Sequence, residues 1–419
     1  MIGQLTIENY KSYKNEVTLD LYAENICEHK ESLIIHEVDN EQFLPVIALY
    51  GPNGGGKSTI LEALQYLIGT VLGRVLTLKA ISDNIDADVS RPKKMSRILD
   101  LRGKQHKFDD SCRDLPSTFS LLFRTDATEF KYQLSVLGNE IVEENLYMHN
   151  LTSKNWEIVF ERIKDDYYLG DMLENIIVDK IKNTIPMLAF IAINYNIDVI
   201  NNIISYFLKI NILNYNNPRA DLRVLIPKDD KERQQIFTLL QKMDINIKDI
   251  RLEKDIDGNI KNIYTQRVTA NGKTIEIPVE EESSGTRKLL GLLPRLTESL
   301  SIGGVVIADE MDAKLHPKLL RYIIELFTNP KINKHGAQLL LTSHDITTMT
   351  HEVFRRDEVW FCALDAENSS VLYPLVSFKK ADGSKTRNDE AYGKRYLEGR
   401  YGADPYLKRI LEWEDGSDE

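Results

Sequence analysis

The stretch "VIALYGPNGGGKST", residues 46–59, joins an apolar run to a glycine-rich loop and then to polar residues. Its centre, residues 51–58, matches G-x-x-x-x-G-K-S in full, and the segment "KSTILEALQYLIGTVL" that follows has helical spacing. Backbone N–H groups of such a loop, together with a helix N-terminus, suit phosphate oxygens. The sequence therefore predicts a phosphate-binding loop between a buried strand and a helix.

The loop implies ATP and Mg²⁺ as ligands. Lys57 is expected to reach the β- and γ-phosphates, and Ser58 is expected to hold Mg²⁺. The other nucleotide-binding residues predicted in the loop are Asn53, Gly54, Gly55, Gly56 and Thr59.

Two acids follow a second apolar run, "VVIADE", residues 305–310. Asp309 can hold the Mg²⁺ shell, and Glu310 can act as the general base that polarises the attacking water. Further on, "LLLTSHD" places His344 just past another predicted strand. It is predicted to contact the γ-phosphate or the attacking water, although a lone histidine is more often structural.

Composition limits the class of protein. The 419 residues are 42% hydrophobic and 28% charged with a formal net charge of −11, which is typical of an ordinary globular protein. Three separated cysteines form no CxxC pair, which argues against a zinc ribbon or hook and suits a reducing cytoplasm. The run at residues 185–193 is about half the length that spans a bilayer. We expect a cytoplasmic protein without membrane segments or a signal peptide.

Alternating and apolar segments predict an α/β fold with a mixed sheet core, an antiparallel β subdomain and a helical insertion. The predicted units are an N-terminal lobe (1–155), a helical insertion (156–245), a C-terminal lobe (246–408) and an acidic tail (409–419). The segments "STFSLLFRT", "EFKYQLSVLG" and "EIVEENLYMH" are expected to form the antiparallel sheet.

Five stretches in this order resemble ABC-type ATPases of the SMC, recombination-repair and OLD branch: "IENYKSY", "GPNGGGKST", "SSGTRKLL", "IADEMDAKLHP" and "LLTSHD". The resemblance implies a P-loop NTPase of ABC-ATPase type that forms head-to-tail dimers. In that branch the signature stretch, here residues 283–290, caps the γ-phosphate bound to the opposite subunit. Ser284 and Gly285 match its core, whereas Thr286 and Arg287 depart from the common LSGGQ wording. An ordinary helix N-cap at this point is compatible with that role.

The same resemblance carries further residues over. Asp312 matches an aspartate in the loop that crosses the dimer interface. Lys11 and Ser12 match an N-terminal element near the nucleotide. The glutamine-loop residue stays open between Gln105 and Gln133.

The run "AYGKRYLEGRYGADPYL", residues 391–407, resembles AAA15-type ATPases of bacterial two-gene anti-phage systems, the RloA or AbiL type. This implies an ATPase that senses infection and controls a separate Toprim- or nuclease-like effector from an adjacent gene. We do not expect a Toprim domain here, because no DxD pair follows His344. The arginines and tyrosines of the run suit either a partner interface or packing on the ATPase's own sheet.

The alternative function is a RecF- or SMC-like DNA-repair ATPase that clamps DNA. The basic stretch from Arg91 to Lys107 is compatible with nucleic-acid contact in either case, and also with a solvated loop.

Overall fold

Strands from both ends of the chain meet in the centre of the molecule. The computed structural model describes residues 1–82, 104–153, 155–178, 180–213, 230–256, 260–378 and 391–403. In chain order its strands and helices are β1 (Ile2–Glu8), β2 (Val17–Asp20), β3 (Ile34–Ile35), β4 (Gln42–Phe43), β5 (Val46–Tyr50), α1 (Lys57–Ser82), β6 (Ser117–Thr125), β7 (Thr128–Leu137), β8 (Glu140–Asn150), β9 (Trp156–Ile163), β10 (Asp166–Leu169), α2 (Met187–Asn194), α3 (Asp198–Leu208), β11 (Ile210–Leu213), α4 (Asp230–Lys242), β12 (Asp249–Lys254), β13 (Ile260–Val268), β14 (Thr274–Pro278), α5 (Ser284–Ile302), β15 (Val305–Ala308), α6 (Pro317–Thr328), β16 (Gln338–Thr342), β17 (Val359–Leu364), β18 (Ser370–Pro374) and α7 (Tyr392–Leu397).

The central sheet has six strands in the order β11-β15-β16-β5-β17-β18. The first five run parallel, and β18 pairs antiparallel with β17. Every residue of β5, β15 and β16 is buried, as expected for parallel strands covered on both faces. The carboxyl ends of β5, β15 and β16 therefore lie side by side at one edge, where ligands of open α/β sheets commonly bind.

A second sheet of seven antiparallel strands has the order β10-β9-β8-β7-β6-β1-β2. The predicted antiparallel pairing of β6, β7 and β8 is confirmed. The Gln338 amide links the two sheets, because it accepts the N–H of Ile2 at 2.7 Å and donates to the Ile2 carbonyl at 3.1 Å. The amino-terminal strand is thus tied directly to the central sheet.

Two hydrophobic cores cover the faces of the central sheet. Ile47 and Leu49 of β5 face a core shared with α1, α2, α3 and the seven-stranded sheet. Val46 and Ala48 face the other core, which includes α4, α5 and α6. This arrangement confirms the predicted α/β class with a mixed sheet core and an antiparallel β subdomain.

Helix α1 is apolar and mostly internal. Among the described residues its segment Lys57–Thr77 is the one helix long and apolar enough to cross a membrane by composition, which the sequence reading did not anticipate. That window is 67% buried inside the protein. Its apolar surface therefore packs in the core.

The predicted helical insertion over 156–245 is wrong in part. Residues 156–169 contain β9 and β10, which extend the seven-stranded sheet, and β11 pairs with β15 in the central sheet. Helices α2, α3 and α4 lie between and after these strands. β10 and β11 have only four residues each, too few for an alternating pattern to stand out, which explains the misreading at these strands. The acidic tail and residues 91–103 of the basic stretch lie outside the described residues.

Candidate nucleotide-binding site

The phosphate loop connects β5 to α1, and two of its glycines are required by its shape. Gly51 has a φ of 152°, and an added Cβ would lie 2.0 Å from the Cys362 carbonyl oxygen. Gly56 has a φ of 99°, and an added Cβ would lie 2.6 Å from the Ser370 hydroxyl. Both positions exclude larger residues because the neighbouring strands β17 and β18 press against the loop.

Lys57, at the start of α1, is buried against its own loop. Its ammonium donates to the carbonyls of Gly51 at 2.9 Å and Pro52 at 3.0 Å. Burial lowers the pKa of Lys57, and nearby acidic groups oppose that effect. The charge is thus held beside the loop N–H groups, where anionic oxygens bind.

Ser58 and Asp309 come together although 251 residues separate them. The Ser58 hydroxyl donates to Asp309 Oδ1 at 2.9 Å. A hydroxyl and a carboxylate next to a phosphate loop fit Mg²⁺, which takes few protein ligands and completes its shell with phosphate oxygens and water. Within the described ranges no group of three or more His, Cys, Asp or Glu side chains could hold a metal.

Thr342, at the end of β16, was missed by the sequence reading. Its hydroxyl donates to Asp309 Oδ1 at 2.6 Å, and it accepts the backbone N–H of Glu310 at 2.6 Å. One hydroxyl therefore positions both acids. Its place in "LLLTSHD", two residues before His344, is visible in the sequence, but its two partners are not.

Glu310 is exposed and has a φ of 48°, in the left-handed region. Few non-glycine residues adopt this conformation without support from their surroundings. The side chain is accessible to a water at the same sheet edge as the phosphate loop. This exposure at the sheet edge is compatible with the general-base role predicted for Glu310.

Asp312 and His344 are linked through the backbone. The His344 N–H donates to Asp312 Oδ1 at 3.2 Å, and the His344 side chain is exposed. The two predicted residues thus lie together just beyond the ends of β15 and β16. A movement of one loop would therefore shift the other.

The N-terminal element packs beside the phosphate loop. Ser12 Oγ lies 3.5 Å from Thr59 Oγ1, and the Lys11 ammonium contacts the Glu62 carboxylate on α1. Of the two candidate glutamines, Gln105 follows Lys104, whose carbonyl accepts the Lys11 N–H at 2.6 Å. Gln133 lies within β7, paired with β6 and β8.

The signature stretch begins α5, and its N-cap is Ser283. The Ser283 hydroxyl accepts the Thr286 N–H at 3.1 Å, so Ser284 is the first helical residue and its side chain is exposed. Gly285 packs on the loop after Glu310, because an added Cβ would lie 2.7 Å from the Lys314 carbonyl oxygen. The helix N-cap expected at this point is thus present, and Ser283 is the residue that supplies it.

The C-terminal run packs on the protein itself. Tyr396 and Tyr401 are buried and stack on Phe361 of β17, with ring centroids 5.7 and 5.1 Å away. Of the two readings of this run, packing on the protein's own sheet is the one that holds for these tyrosines. Arg395 and Arg400 remain partly exposed and pair with Glu398 at 3.4 and 2.8 Å.

One protein family matches most of the chain. The profile of the AAA_21 family, described as "AAA domain, putative AbiEii toxin, Type IV TA system", matches residues 46–350. The matched region contains the phosphate loop, the signature stretch, both acids and His344. The region matched by the family profile therefore includes these parts of the candidate site.

Individual proteins match this chain either over a short stretch or at low sequence identity. The zinc import ATP-binding protein ZnuC of Histophilus somni is 38% identical over 69 residues, which is 15% of this chain and 26% of that protein. The chain thus matches about a quarter of the length of this curated relative. The SMC head domain from Thermotoga maritima is 12% identical with a TM-score of 0.42, covering 89% of this chain and 98% of its own. An Smc head domain derived from Pyrococcus furiosus, bound to the C-terminal domain of ScpA, is 11% identical with a TM-score of 0.41, covering 89% and 96%.

Proposed function

The chain belongs to the AAA_21 family and has the ABC-type P-loop ATPase fold, and on that premise we propose that it binds ATP with Mg²⁺ and hydrolyses it to ADP and phosphate. The observation that carries the proposal is the Ser58–Asp309 hydrogen bond of 2.9 Å, because it brings the loop and the acidic strand end into one site. Glu310 lies next to Asp309 at the same edge of the sheet.

Each residue of the site has its own role in the proposed reaction. Lys57 directs its ammonium to the β- and γ-phosphate oxygens, and the loop N–H groups orient the phosphates. Mg²⁺, when bound, neutralises charge on those oxygens, and Ser58 and Asp309 would hold it. The Glu310 carboxylate accepts a proton from the water whose oxygen forms the new bond to the γ-phosphorus. The bond to the ADP oxygen breaks, and ADP leaves.

The test of this step is Glu310→Gln, with Glu325→Gln on α6 as the matched control. The amide keeps the shape of Glu310 but cannot accept the proton, so turnover should fall about 100-fold while ATP affinity stays within about threefold. The control should match the wild type in both. Unchanged turnover in Glu310→Gln removes this residue from the role of base.

The second part of the proposal is a head-to-tail homodimer in which the signature stretch completes the site on a second copy. Ser284 is exposed at the start of α5, where backbone N–H groups favour an anion. Gly285 packs on the loop after Glu310, so the start of α5 is in direct contact with the segment that follows the proposed base. A phosphate bound by another copy is the ligand that fits.

The third part is biological. We infer that the ATPase cycle controls a separate effector, of Toprim or nuclease type and encoded by an adjacent gene, in defence against phage. The AAA_21 description names a toxin of a type IV toxin–antitoxin system, which supports a role in a two-component toxic system. The resemblance of residues 391–407 to anti-phage ATPases adds to that support.

The experiment expresses this chain alone, the adjacent gene alone, and both together in cells challenged with phage. Protection should require both, and Lys57→Ala should abolish it. Protection by this chain alone would contradict control of an effector. ATP-dependent retention of DNA by the purified chain, without any need for the adjacent gene, would favour the DNA-repair alternative.

A further inference from the structure

Lys288 lies on α5 one turn after Ser284, and its side chain is buried. Its ammonium donates to three backbone carbonyls: those of Glu310 at 3.0 Å, Met311 at 2.9 Å and Ala313 at 2.7 Å. An ammonium has three N–H donors, and three carbonyls that converge on it match that number. A side chain of the signature helix therefore holds the segment that carries the proposed catalytic base.

This segment is held from two sides. On one side, the Thr342 hydroxyl accepts the Glu310 N–H at 2.6 Å. On the other side, the Lys288 ammonium donates to the Glu310 carbonyl. Between these bonds Glu310 keeps its left-handed φ of 48°, a conformation that persists where the surroundings fix it.

Burying the Lys288 ammonium costs electrostatic free energy, and acidic side chains of the segment offset part of that cost. Burial lowers the pKa of Lys288 to about 8, and the negative charges of Asp312 and Glu310 oppose that shift. Removing the ammonium would leave three carbonyls of this segment without this donor. Such carbonyls regain partners by moving, which displaces the segment.

A second contact joins the same two elements. Gly285 of α5 lies against the Lys314 carbonyl, where an added Cβ would be 2.7 Å away. Lys288 and Gly285 thus fix the start of α5 to residues 310–314 at two points.

We propose that Lys288 is a positioning residue that couples the signature stretch to the catalytic base of its own subunit. A phosphate captured by Ser284 and Gly285 fixes α5, and Lys288 in turn fixes the backbone of Glu310. Each ATP site thereby acts on the other within a dimer. The inference rests on the proposed ATPase function and deepens it.

The experiment compares Lys288→Met, Lys288→Arg and the exposed control Lys318→Met with the wild type. Methionine keeps the length of the side chain without donors, so kcat should fall about 10- to 100-fold while ATP affinity and KM stay within about threefold. Arginine restores a charged donor and should recover at least about fivefold of the lost kcat. Lys318→Met should behave as the wild type.

The opposite results would overturn the proposed role of Lys288. Wild-type kcat in Lys288→Met, a parallel loss of ATP affinity, or no recovery in Lys288→Arg overturns the coupling role. If Lys288→Met does not fold, Lys288→Gln takes its place, because the shorter amide cannot donate to all three carbonyls. Wild-type kcat in a folded Lys288→Gln then overturns the coupling role in the same way. A wild type that hydrolyses no ATP refutes the proposed function itself, and the inference falls with it.

Discussion

The Thr342 hydroxyl donates to the Asp309 carboxylate at 2.6 Å, and this bond fixes the proposed metal ligand from the neighbouring strand. The same oxygen accepts the Glu310 N–H at 2.6 Å. A single hydroxyl at the end of β16 thus sets the geometry of two acids at the end of β15. We therefore expect the proposed chemistry at this edge of the sheet to depend on the Thr342 side chain.

Thr342→Val should lower kcat about tenfold or more, because it removes the donor to Asp309 and leaves the Glu310 N–H without its acceptor. Steady-state ATP hydrolysis, with thermal unfolding as a check on the fold, measures the effect. Thr342→Ser keeps the hydroxyl and should stay within about threefold of the wild type. Equal loss in both variants would show that the methyl group matters and the hydrogen bonds do not.

Mixing Lys57→Ala with Ser284→Arg subunits should restore ATPase activity that neither variant has alone. In a mixed dimer one site carries both defects and the other is intact, so recovery approaches about a quarter of wild-type activity under random exchange of independent sites. Subunit exchange is followed by fluorescence transfer between labelled copies. Lys57→Ala mixed with itself is the control, and proven exchange without recovery would argue against a shared site.

Glu358→Gln should make the stability of the protein less sensitive to pH. Burial raises the pKa of Glu358 to about 8 from 4.5; the Arg355 N–H and the Arg355 charge partly oppose this, and Asp357 and Glu28 add to it. The folded state then keeps a proton that the unfolded state loses, so this group's contribution is complete below 4.5 and is lost as the pH rises towards about 8.

Urea unfolding at pH 5 and pH 8 measures that contribution. The wild type should lose more stability over this interval than Glu358→Gln, whose amide stays neutral throughout. Glu37→Gln, at an exposed glutamate, should leave the wild-type pH profile unchanged. Parallel profiles for the wild type and Glu358→Gln would contradict a neutral carboxyl in the folded state.

Tyr396→Ala should cost about 2–4 kcal/mol of unfolding free energy, because the ring is buried and stacks at 7° on Phe361. Leu397→Ala is the matched control, since Leu397 is 63% exposed on the same short helix. It should change stability by less than about 0.5 kcal/mol. Chemical denaturation measures the free energy of unfolding of both variants. Equal losses would show that the Tyr396 ring lies at the surface.

The phosphate loop and the strand before it were predictable because their signals are local. A continuous glycine-rich pattern has one compact way to present its N–H groups, and β5 precedes it directly. Asp309 and Glu310 could be proposed for the same reason, since acids at the end of an apolar strand lie at a sheet edge. Their relation to Ser58 needed only the rule that parallel strands end together.

Thr342 and Lys288 could not be predicted because their importance depends on three-dimensional partners. Lys288 is one lysine on a helix until α5 packs on residues 310–313, and nothing in its neighbours specifies three carbonyl acceptors. The choice of cap was undetermined for another reason. Ser283 and Ser284 are equally good caps by residue type, and only the backbone shows which one is used.

The hydrogen bonds of Lys57 to its own loop hold its side chain in place before any ligand arrives. They use two of the three N–H donors of the ammonium, so Lys57 can donate to an anion without giving up Gly51 or Pro52. Little side-chain freedom of Lys57 then remains to be lost when a phosphate binds. The loop is thus preorganised, and ordering this lysine should contribute little to the entropic cost of binding.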